Sequence, residues 1–313
     1  MRILKEVTVE VTQKCNSLCI FCSSLSDSQC RNEIPFHKLK EISRFSLSNG
    51  ATTINFSGGE PLLRNDLAEI ISFNESIGLH STIYSSGNIA DRSIIETITD
   101  VLKSKRSVRF ILNYPSVEKT VFQTLVNSKC FEPSTIDSYL SFLIKNGIEV
   151  EAHIVPNAIN LKSLCATIAH LKKIGVKRVS LLRLVLQGRA EKNRSLLVND
   201  NFNNNLKAVI NEVVKCLVDT SFTVRLGIPF GKMVNADCEC FAGINKLIFR
   251  YDGVVFPCEA FKEAPNNSEF ILGNIYEDSL ESIWTNHPVH GKLSLLRNAA
   301  VKKAESCPAQ LLY

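Results

Sequence analysis

The stretch Cys15-Asn16-Ser17-Leu18-Cys19-Ile20-Phe21-Cys22 directly follows an alternating apolar run, Val7 to Val11. It places three thiols within eight residues, with three and then two residues between them. At this spacing one loop can wrap its cysteines around a corner of an iron–sulfur cluster, a site that normally takes four thiolates. The fourth iron would be left open to bind another ligand. A zinc knuckle, or three buried apolar cysteines, is the alternative interpretation of these residues.

The composition is that of an ordinary globular protein. Of the 313 residues, 45% are hydrophobic and 21% are charged, and no apolar run is long enough to span a membrane. The N-terminus lacks the features of a secretory signal, so we expect a cytoplasmic location in which the 11 cysteines are metal ligands or buried thiols. The net charge of +5 comes from interspersed charges and indicates no nucleic-acid partner.

Apolar, β-branched runs alternate with amphipathic segments between residues 5 and 184. This alternation predicts six strand–helix units with parallel strands and right-handed crossovers, an α/β fold of the partial (β/α)6 TIM-like barrel type. The chemistry of such a barrel collects on loops at the carboxyl ends of its strands. The predicted strands are Glu6–Val11, Thr52–Phe56, His80–Tyr84, Val108–Asn113, Glu149–Val155 and Arg178–Leu184. The predicted helices between them are Pro35–Leu47, Asn65–Ser76, Ile94–Ser104, Ser134–Lys145 and Leu161–Ile174.

The composition changes after an amphipathic helix over Asn199–Val218 and a strand over Phe222–Leu226. Residues 227–237 carry glycine and proline and are typical of a connector. We therefore divide the chain into a barrel, residues 1–226, and a small C-terminal appendage, residues 227–313.

A hairpin is predicted inside the appendage. The runs Lys246–Tyr251 and Val254–Phe256 would be its two strands, with Asp252-Gly253 as the turn. A tight turn brings residues that flank the two strands close together. Cysteines on either side of this hairpin can therefore share one metal site.

A second motif, Ser57-Gly58-Gly59-Glu60-Pro61-Leu62, follows the second predicted strand. Its two glycines allow close approach of the backbone to a ligand, and the Glu60 carboxylate can pair with a cationic amine. Together with the cysteine loop one unit earlier, this motif resembles the radical S-adenosylmethionine (SAM) superfamily. The resemblance implies that Cys15, Cys19 and Cys22 hold a 4Fe–4S cluster. It also implies that Gly58, Gly59 and Glu60 contact the methionine amino group of SAM.

Two more residues follow from the same resemblance. Ser86 lies in the polar end of the third strand, where members of the family hold the SAM ribose or carboxylate. Arg183 lies in an otherwise apolar strand end, and related enzymes place a basic residue there near the SAM carboxylate. Ordinary turn chemistry at Ser86 and a structural ion pair at Arg183 are the alternatives. The basic segment Arg189-Ala190-Glu191-Lys192-Asn193-Arg194 could touch a phosphate or a carboxylate, but we interpret it as a solvated loop.

The appendage resembles the auxiliary-cluster domains called SPASM and twitch. The resemblance implies an auxiliary iron–sulfur cluster held by Cys240, Cys258 and Cys307, with Cys238 either a fourth ligand or a free thiol. A free Cys238 could donate a hydrogen atom to a substrate radical and would then be catalytic. Four-thiolate zinc is the alternative for the same four cysteines.

The expected function is radical chemistry. Reductive cleavage of SAM gives a 5′-deoxyadenosyl radical, and the substrate we expect is a ribosomally synthesised peptide that gains a cross-link, a thioether or an epimerised residue. The competing hypothesis is that the protein is a small-molecule dehydrogenase or cyclase. A hypothesis of another functional class is that it is a non-enzymatic zinc or iron–sulfur scaffold. The expected partners are the substrate and a reducing electron donor such as flavodoxin or ferredoxin.

Overall fold

One ten-stranded sheet forms the centre of the computed structural model, which describes residues 3–89, 93–102, 108–199, 201–227, 240–285, 289–302 and 307–312. Its strands are β1 (Glu6–Thr12), β2 (Thr53–Gly58), β3 (His80–Ser85), β4 (Val108–Asn113), β5 (Glu149–Ile154), β6 (Arg178–Leu181), β7 (Thr223–Leu226), β8 (Lys246–Phe249), β9 (Val254–Phe256) and β10 (Gly273–Asn274). Their order across the sheet is β10-β9-β8-β1-β2-β3-β4-β5-β6-β7. Pairing is parallel from β8 through β1 to β7, and it is antiparallel between β8, β9 and β10.

Helices connect the parallel strands. They are α1 (Phe36–Ser48), α2 (Leu67–Ser76), α3 (Ser93–Leu102), α4 (Lys119–Val126), α5 (Pro133–Lys145), α6 (Leu164–Lys173), α7 (Arg189–Lys192), α8 (Arg194–Leu197) and α9 (Phe202–Leu217). Two more, α10 (Leu280–Thr285) and α11 (Val289–Lys302), follow β10. No helix in the described ranges is both long and apolar enough to cross a membrane.

The predicted fold class is confirmed. All six predicted strand–helix units are present, and β4 has the predicted bounds. The strand predicted to end at Leu184 ends at Leu181, because the chain leaves the sheet there and runs toward the cysteine loop. The eight-residue helix α4 was not predicted, since so short a segment carries too few turns to show a period. The strand after α9 pairs with β6 and extends the parallel sheet by one strand.

The two faces of the parallel sheet differ in chemistry. One face is apolar and packs against the helices, as Val9, Phe56 and Phe110 do with less than 1% of their surface exposed. The other face lines the barrel lumen and carries polar side chains on several strands. One row across it contains Asn113, His153, Ser180 and Arg225 in matching register. The lumen therefore presents hydrogen-bonding groups to whatever enters it.

The C-terminal part continues the barrel sheet. Strand β8 pairs in parallel with β1, Val7 opposite Leu247, and the predicted hairpin is present as β8 and β9. Gly253 in its turn has a φ of +86°, a conformation that favours glycine. The division into residues 1–226 and 227–313 stays a prediction, and residues 228–239 at that boundary lie outside the described part of the chain.

Candidate active site

The cysteine loop leaves the carboxyl end of β1 and is fastened to the barrel through its backbone. The Cys15 N–H donates to the carbonyl of Asp27 over 2.9 Å. The Ile20 N–H donates to Leu125 over 2.9 Å, and the Cys22 carbonyl accepts from the Arg189 N–H over 3.0 Å. These bonds reach the segment between the loop and α1, the end of α4 and the start of α7. The loop is therefore held in shape by distant parts of the barrel.

The three loop thiols lie close enough to affect one another electrostatically. Cys15 is 9% exposed, and its pKa is raised to about 12, mainly by burial, then by the Glu60 charge and with a contribution from Cys22. Burial also raises the pKa of Cys19, and the charges of Cys22 and Cys15 raise it further. Neither thiol would ionise on its own at neutral pH. A cationic iron cluster would stabilise the thiolates, so this arrangement fits a metal-cluster ligand set.

A cavity of about 300 Å³ opens at the carboxyl ends of the strands. All three loop cysteines border it, and so do residues of both parts of the chain. Its polar lining includes Tyr84, Asn113, His153, Arg189, Glu259 and Lys262.

Buried polar atoms without a partner surround this cavity. Ser17 Oγ, Ser26 Oγ and Glu10 Oε2 belong to cavity-lining residues at most 2% exposed, and none has a hydrogen-bond partner. Leaving such a group unpaired costs roughly 1–3 kcal/mol. The chemistry of the cavity lining therefore suits a polar ligand, as the hypothesis of a bound SAM and cluster requires.

The Gly58-Gly59 pair packs against the cysteine loop itself. A Cβ on Gly58 would lie 2.2 Å from the Thr12 carbonyl oxygen, and one on Gly59 would lie 2.2 Å from that of Lys14. The Gly59 N–H donates to Thr12 over 2.7 Å, and the Glu60 N–H donates to Lys14 over 2.8 Å. The two glycines thus allow the segment 58–60 to contact the segment 12–14 beside the cavity. This contact comes in addition to the predicted contact of the two glycines with a ligand.

The Glu60 carboxylate is completely buried and already holds four donors. Oε1 accepts from the Leu62 N–H (3.1 Å) and the Ser85 hydroxyl (2.8 Å). Oε2 accepts from the Ser86 N–H (2.7 Å) and the Ser86 hydroxyl (2.6 Å). Burial raises the pKa of Glu60, and these bonds oppose the shift. Its contact with the amine of SAM stays a prediction. In the structure, the Glu60 carboxylate links the end of β3, including Ser86, to the Gly58-Gly59 loop through these hydrogen bonds.

The arginine that borders the cavity is Arg189 and not the predicted Arg183. Its Nε donates to the Cys19 carbonyl over 3.1 Å, and its Nη2 donates to the Ser26 carbonyl over 2.7 Å. The interpretation of Arg189 as a solvated residue was wrong. The sequence shows only a glycine before it, and the structure explains that glycine: Gly188 has a φ of +60°, and a Cβ there would lie 2.7 Å from the Ser23 carbonyl oxygen. Arg183 lies half-buried just after β6 and stays a prediction.

An ion pair that sequence reasoning missed joins the two parts of the chain at the cavity wall. The Lys262 ammonium, which follows the short 3-10 helix Glu259–Phe261, pairs with Glu10 on β1 and donates to Ser24 Oγ over 2.6 Å. The Lys262 and Glu10 residues are 4% and 2% exposed. Burial would lower the pKa of Lys262, but the Glu10 charge keeps it raised. The charged pair therefore persists in the interior.

The appendage cysteines also gather in one region. Burial is the main cause of the raised pKa values of Cys240 and Cys258, and Cys307 contributes to both. Lys246 opposes the shift at Cys258, and this lysine lies 2.7 Å from Glu259. Cys238 lies outside the described residues, so its role as ligand or hydrogen donor stays a prediction.

Within the ranges that the structure describes, no three His, Cys, Asp or Glu side chains form a group that could hold one metal ion.

An open parallel barrel with a thiol-lined cavity at its carboxyl end defines an iron–sulfur enzyme. Two family models match the chain: the radical SAM superfamily over residues 9–132, and SPASM, an iron–sulfur cluster-binding domain, over residues 238–308. The chain belongs to the radical SAM superfamily and carries a SPASM domain. Its cofactors are a 4Fe–4S cluster, SAM and an auxiliary iron–sulfur cluster.

Relatives and solved structures agree with this family. The Fe-coproporphyrin III synthase of Methanosarcina barkeri is 25% identical over 306 residues, covering 89% of this chain and 73% of that protein. A probable GTP 3′,8-cyclase of Methanococcus aeolicus is 26% identical over 176 residues, and the alignment covers 55% of each chain. The structure of Streptococcus suis SuiB bound to SAM matches with a TM-score of 0.75 at 15% identity, covering 93% of this chain and 68% of that one. That of anSMEcpe with bound AdoMet matches with a TM-score of 0.71 at 14% identity, covering 93% of this chain and 84% of that one.

Proposed function

We propose that this enzyme modifies a C–H bond in a ribosomally synthesised peptide, forming a cross-link, a thioether or an epimerised residue. Cys15, Cys19 and Cys22 would hold the 4Fe–4S cluster, and SAM would lie against Gly58, Gly59 and Glu60. Bound there, the reduced cluster and SAM would supply the 5′-deoxyadenosyl radical for removal of the hydrogen atom.

The size of the cavity carries the choice of a peptide. Sites for drug-sized molecules have volumes of roughly 300–1,000 Å³. The cavity of about 300 Å³ matches one such molecule, and SAM is a molecule of that size. Little enclosed space remains for a whole second molecule beside it. A peptide needs to insert only one side chain and can leave the rest of its length outside.

Other residues at or near the cavity are assigned roles in orienting SAM, holding the cysteine loop and excluding water. Ser86 is fixed by Glu60 and would orient SAM, and we assign Arg183 the same task on the carboxylate side. Arg189 donates to the Cys19 carbonyl inside the cysteine loop and to the Ser26 carbonyl just after it, and so would hold the thiols in position. Phe21, Ile111 and Leu182 are apolar and would exclude water from the reacting carbon.

In the appendage, Cys240, Cys258 and Cys307 would hold the auxiliary cluster. The cluster would lie next to the wall of the cavity, because Glu259 and Lys262 follow Cys258 directly and border it. Cys238 would complete this ligand set or act as the hydrogen donor of an epimerase. A flavodoxin or ferredoxin would deliver the electron that starts the reaction.

A small-molecule reaction is the second candidate, and one comparison favours it. The Fe-coproporphyrin III synthase aligns with 89% of this chain, so its similarity extends over the barrel and the appendage together. A tetrapyrrole with acidic side chains would find a cationic group at Arg189.

Anaerobic assays distinguish the candidates. Reconstituted protein is incubated with dithionite, SAM and one of three substrates: a short peptide encoded beside its gene, an iron tetrapyrrole carboxylate, or GTP. We expect 5′-deoxyadenosine together with a peptide that has lost two hydrogens or, in D₂O, has gained deuterium. Turnover of the tetrapyrrole or GTP and not of the peptide would contradict the peptide assignment. No SAM cleavage at all would contradict the assigned chemistry.

A further inference from the structure

Glu151 and His153 form a pair inside the lumen that the proposed SAM and cluster sites do not use. They lie two residues apart on β5, and so they point to the same face of the sheet. Both are buried, with 3% and 5% of their surface exposed, and His153 borders the cavity. Polar side chains at this depth need a function or a complete set of partners.

The surroundings of Glu151 keep its carboxylate ionised. Oε1 accepts hydrogen bonds from His153 Nε2 (3.1 Å) and from Ser180 Oγ, while Oε2 lies 3.9 Å from Arg109 Nη1. Burial would raise the pKa of Glu151, but the bonds from His153 and Ser180 and the Arg225 charge hold it at about 2. An ionised carboxylate only accepts hydrogen bonds. The proton of the imidazole must therefore sit on Nε2.

His153 is consequently a neutral ring whose single acceptor is Nδ1. Burial lowers its pKa, the bond to Glu151 opposes this, and the charges of Arg225 and Arg109 lower it again. On the β3 side the ring meets the edge of Tyr84, with centroids 5.5 Å apart. A neutral histidine with a fixed tautomer beside a substrate cavity has the properties of a general base.

We propose that His153 takes up a proton at Nδ1 from an O–H, S–H or N–H group of the substrate next to the reacting carbon. Glu151 is the positioning residue, since it fixes the tautomer through Nε2. The heteroatom–hydrogen bond breaks, its electron pair stays on the substrate, and an N–H bond forms at Nδ1. The carboxylate of Glu151 balances the imidazolium charge. For a peptide, the donor group is a Ser, Thr or Cys side chain or a backbone amide. This inference rests on the proposed function, because it concerns the substrate of that same cavity.

The tautomer can be measured without any substrate. In the full-length chain labelled with ¹⁵N-histidine, the His153→Gln variant assigns one of the six histidine spectra to His153. We expect a neutral ring protonated at Nε2 at pH 7. In Glu151→Gln the new amide can donate to Nε2, so we expect a change to the Nδ1–H form. Glu149→Gln is the matched control at the exposed start of the same strand, and it should leave the His153 tautomer unchanged. An Nδ1–H ring or an imidazolium in the unaltered protein would overturn the proposal.

Catalysis supplies a second, independent measurement. With the peptide that changes mass in the assays above as the probe, His153→Gln should lower product formation by roughly 10²–10⁴-fold. Glu149→Gln, at the exposed start of the same strand and outside the cavity lining, should leave product formation within about twofold of the unaltered protein. Unchanged product formation in His153→Gln would overturn the role of His153. Absence of SAM cleavage in the unaltered protein would refute the proposed function instead and leave the tautomer result standing.

Discussion

The two cysteine sets differ in how the chain assembles them. Cys15, Cys19 and Cys22 lie in one loop, so their spacing brings them together locally and the barrel only holds that loop in shape. Cys240, Cys258 and Cys307 come from three segments and meet only because β8 and β9 fold back on each other and the C-terminus returns. A local motif therefore specifies the first site, and tertiary structure specifies the second. The first should survive changes that destroy the second.

The strongest test of this comparison removes one thiol from each set. Cys19→Ala should abolish SAM cleavage, because three thiolates are the fewest that hold a cluster with one open iron. Cys258→Ala should leave cleavage without substrate within about threefold while about half of the iron is lost, an expectation that assumes two clusters of equal size. Iron content and 5′-deoxyadenosine per chain are the measurements. Equal loss of cleavage in both variants would show that the sets are not independent.

A smaller effect tests the link between the two regions. Lys262→Met leaves the buried Glu10 charge without its partner, so the free energy of unfolding should fall by about 3–5 kcal/mol. The double variant Lys262→Met/Glu10→Gln should recover most of that loss. Lys292→Met is the control, because its pair with Glu269 is exposed and worth about 0–1 kcal/mol. Equal urea midpoints for Lys262→Met and the control would show that the link contributes no stability.

The variant Glu60→Gln probes only the surroundings of the first cysteine set, Cys15, Cys19 and Cys22. The new amide can no longer accept from four donors, so we expect a loss of about 1–3 kcal/mol in stability. Displacement of Ser86 should also weaken SAM binding by about tenfold. Isothermal titration of SAM onto the reconstituted protein checks the second effect, with the exposed Glu69→Gln as control. Unaltered affinity would remove Glu60 and Ser86 from the SAM site.

The smallest expected effect concerns neither cysteine set. Because burial keeps the pKa of His153 below its ordinary value, the unfolded chain binds a proton that the folded chain does not, over the pH range between the two values. Stability should therefore fall as the pH drops below about 6.5, by at most about 1.4 kcal/mol per unit. The groups that face the ring are Tyr84, Arg109, Glu151 and Arg225. Urea midpoints between pH 5.5 and 7.5 should vary less in His153→Gln. Parallel curves for the two proteins would contradict this assignment.

The sequence predicted local features well and distant contacts poorly. Alternating apolar runs located β1 to β6, because burial of one face leaves a period in the chain. Lys262 and Glu10 are separated by 252 positions in the sequence, and no local pattern indicates that they form an ion pair. The pairing of β8 with β1 was hidden for the same reason.

Some of the polar residues that line the lumen could have been predicted from the sequence. Glu149, Glu151 and His153 alternate along a strand whose other residues are apolar, which predicts a polar face turned toward a cavity. Arg189 follows a glycine whose conformation brings the chain against the cysteine loop. The four donors on Glu60 could not have been predicted, since they depend on where β3 ends in space.

The central claim is that the Cys15–Cys22 loop alone forms the cluster that binds SAM. Its most direct test is the electron paramagnetic resonance spectrum of reduced Cys240→Ala/Cys258→Ala/Cys307→Ala protein, recorded with and without SAM. We predict about four irons per chain and one signal that changes when SAM is added. A protein that holds no iron, or a signal that SAM leaves unchanged, would contradict the account.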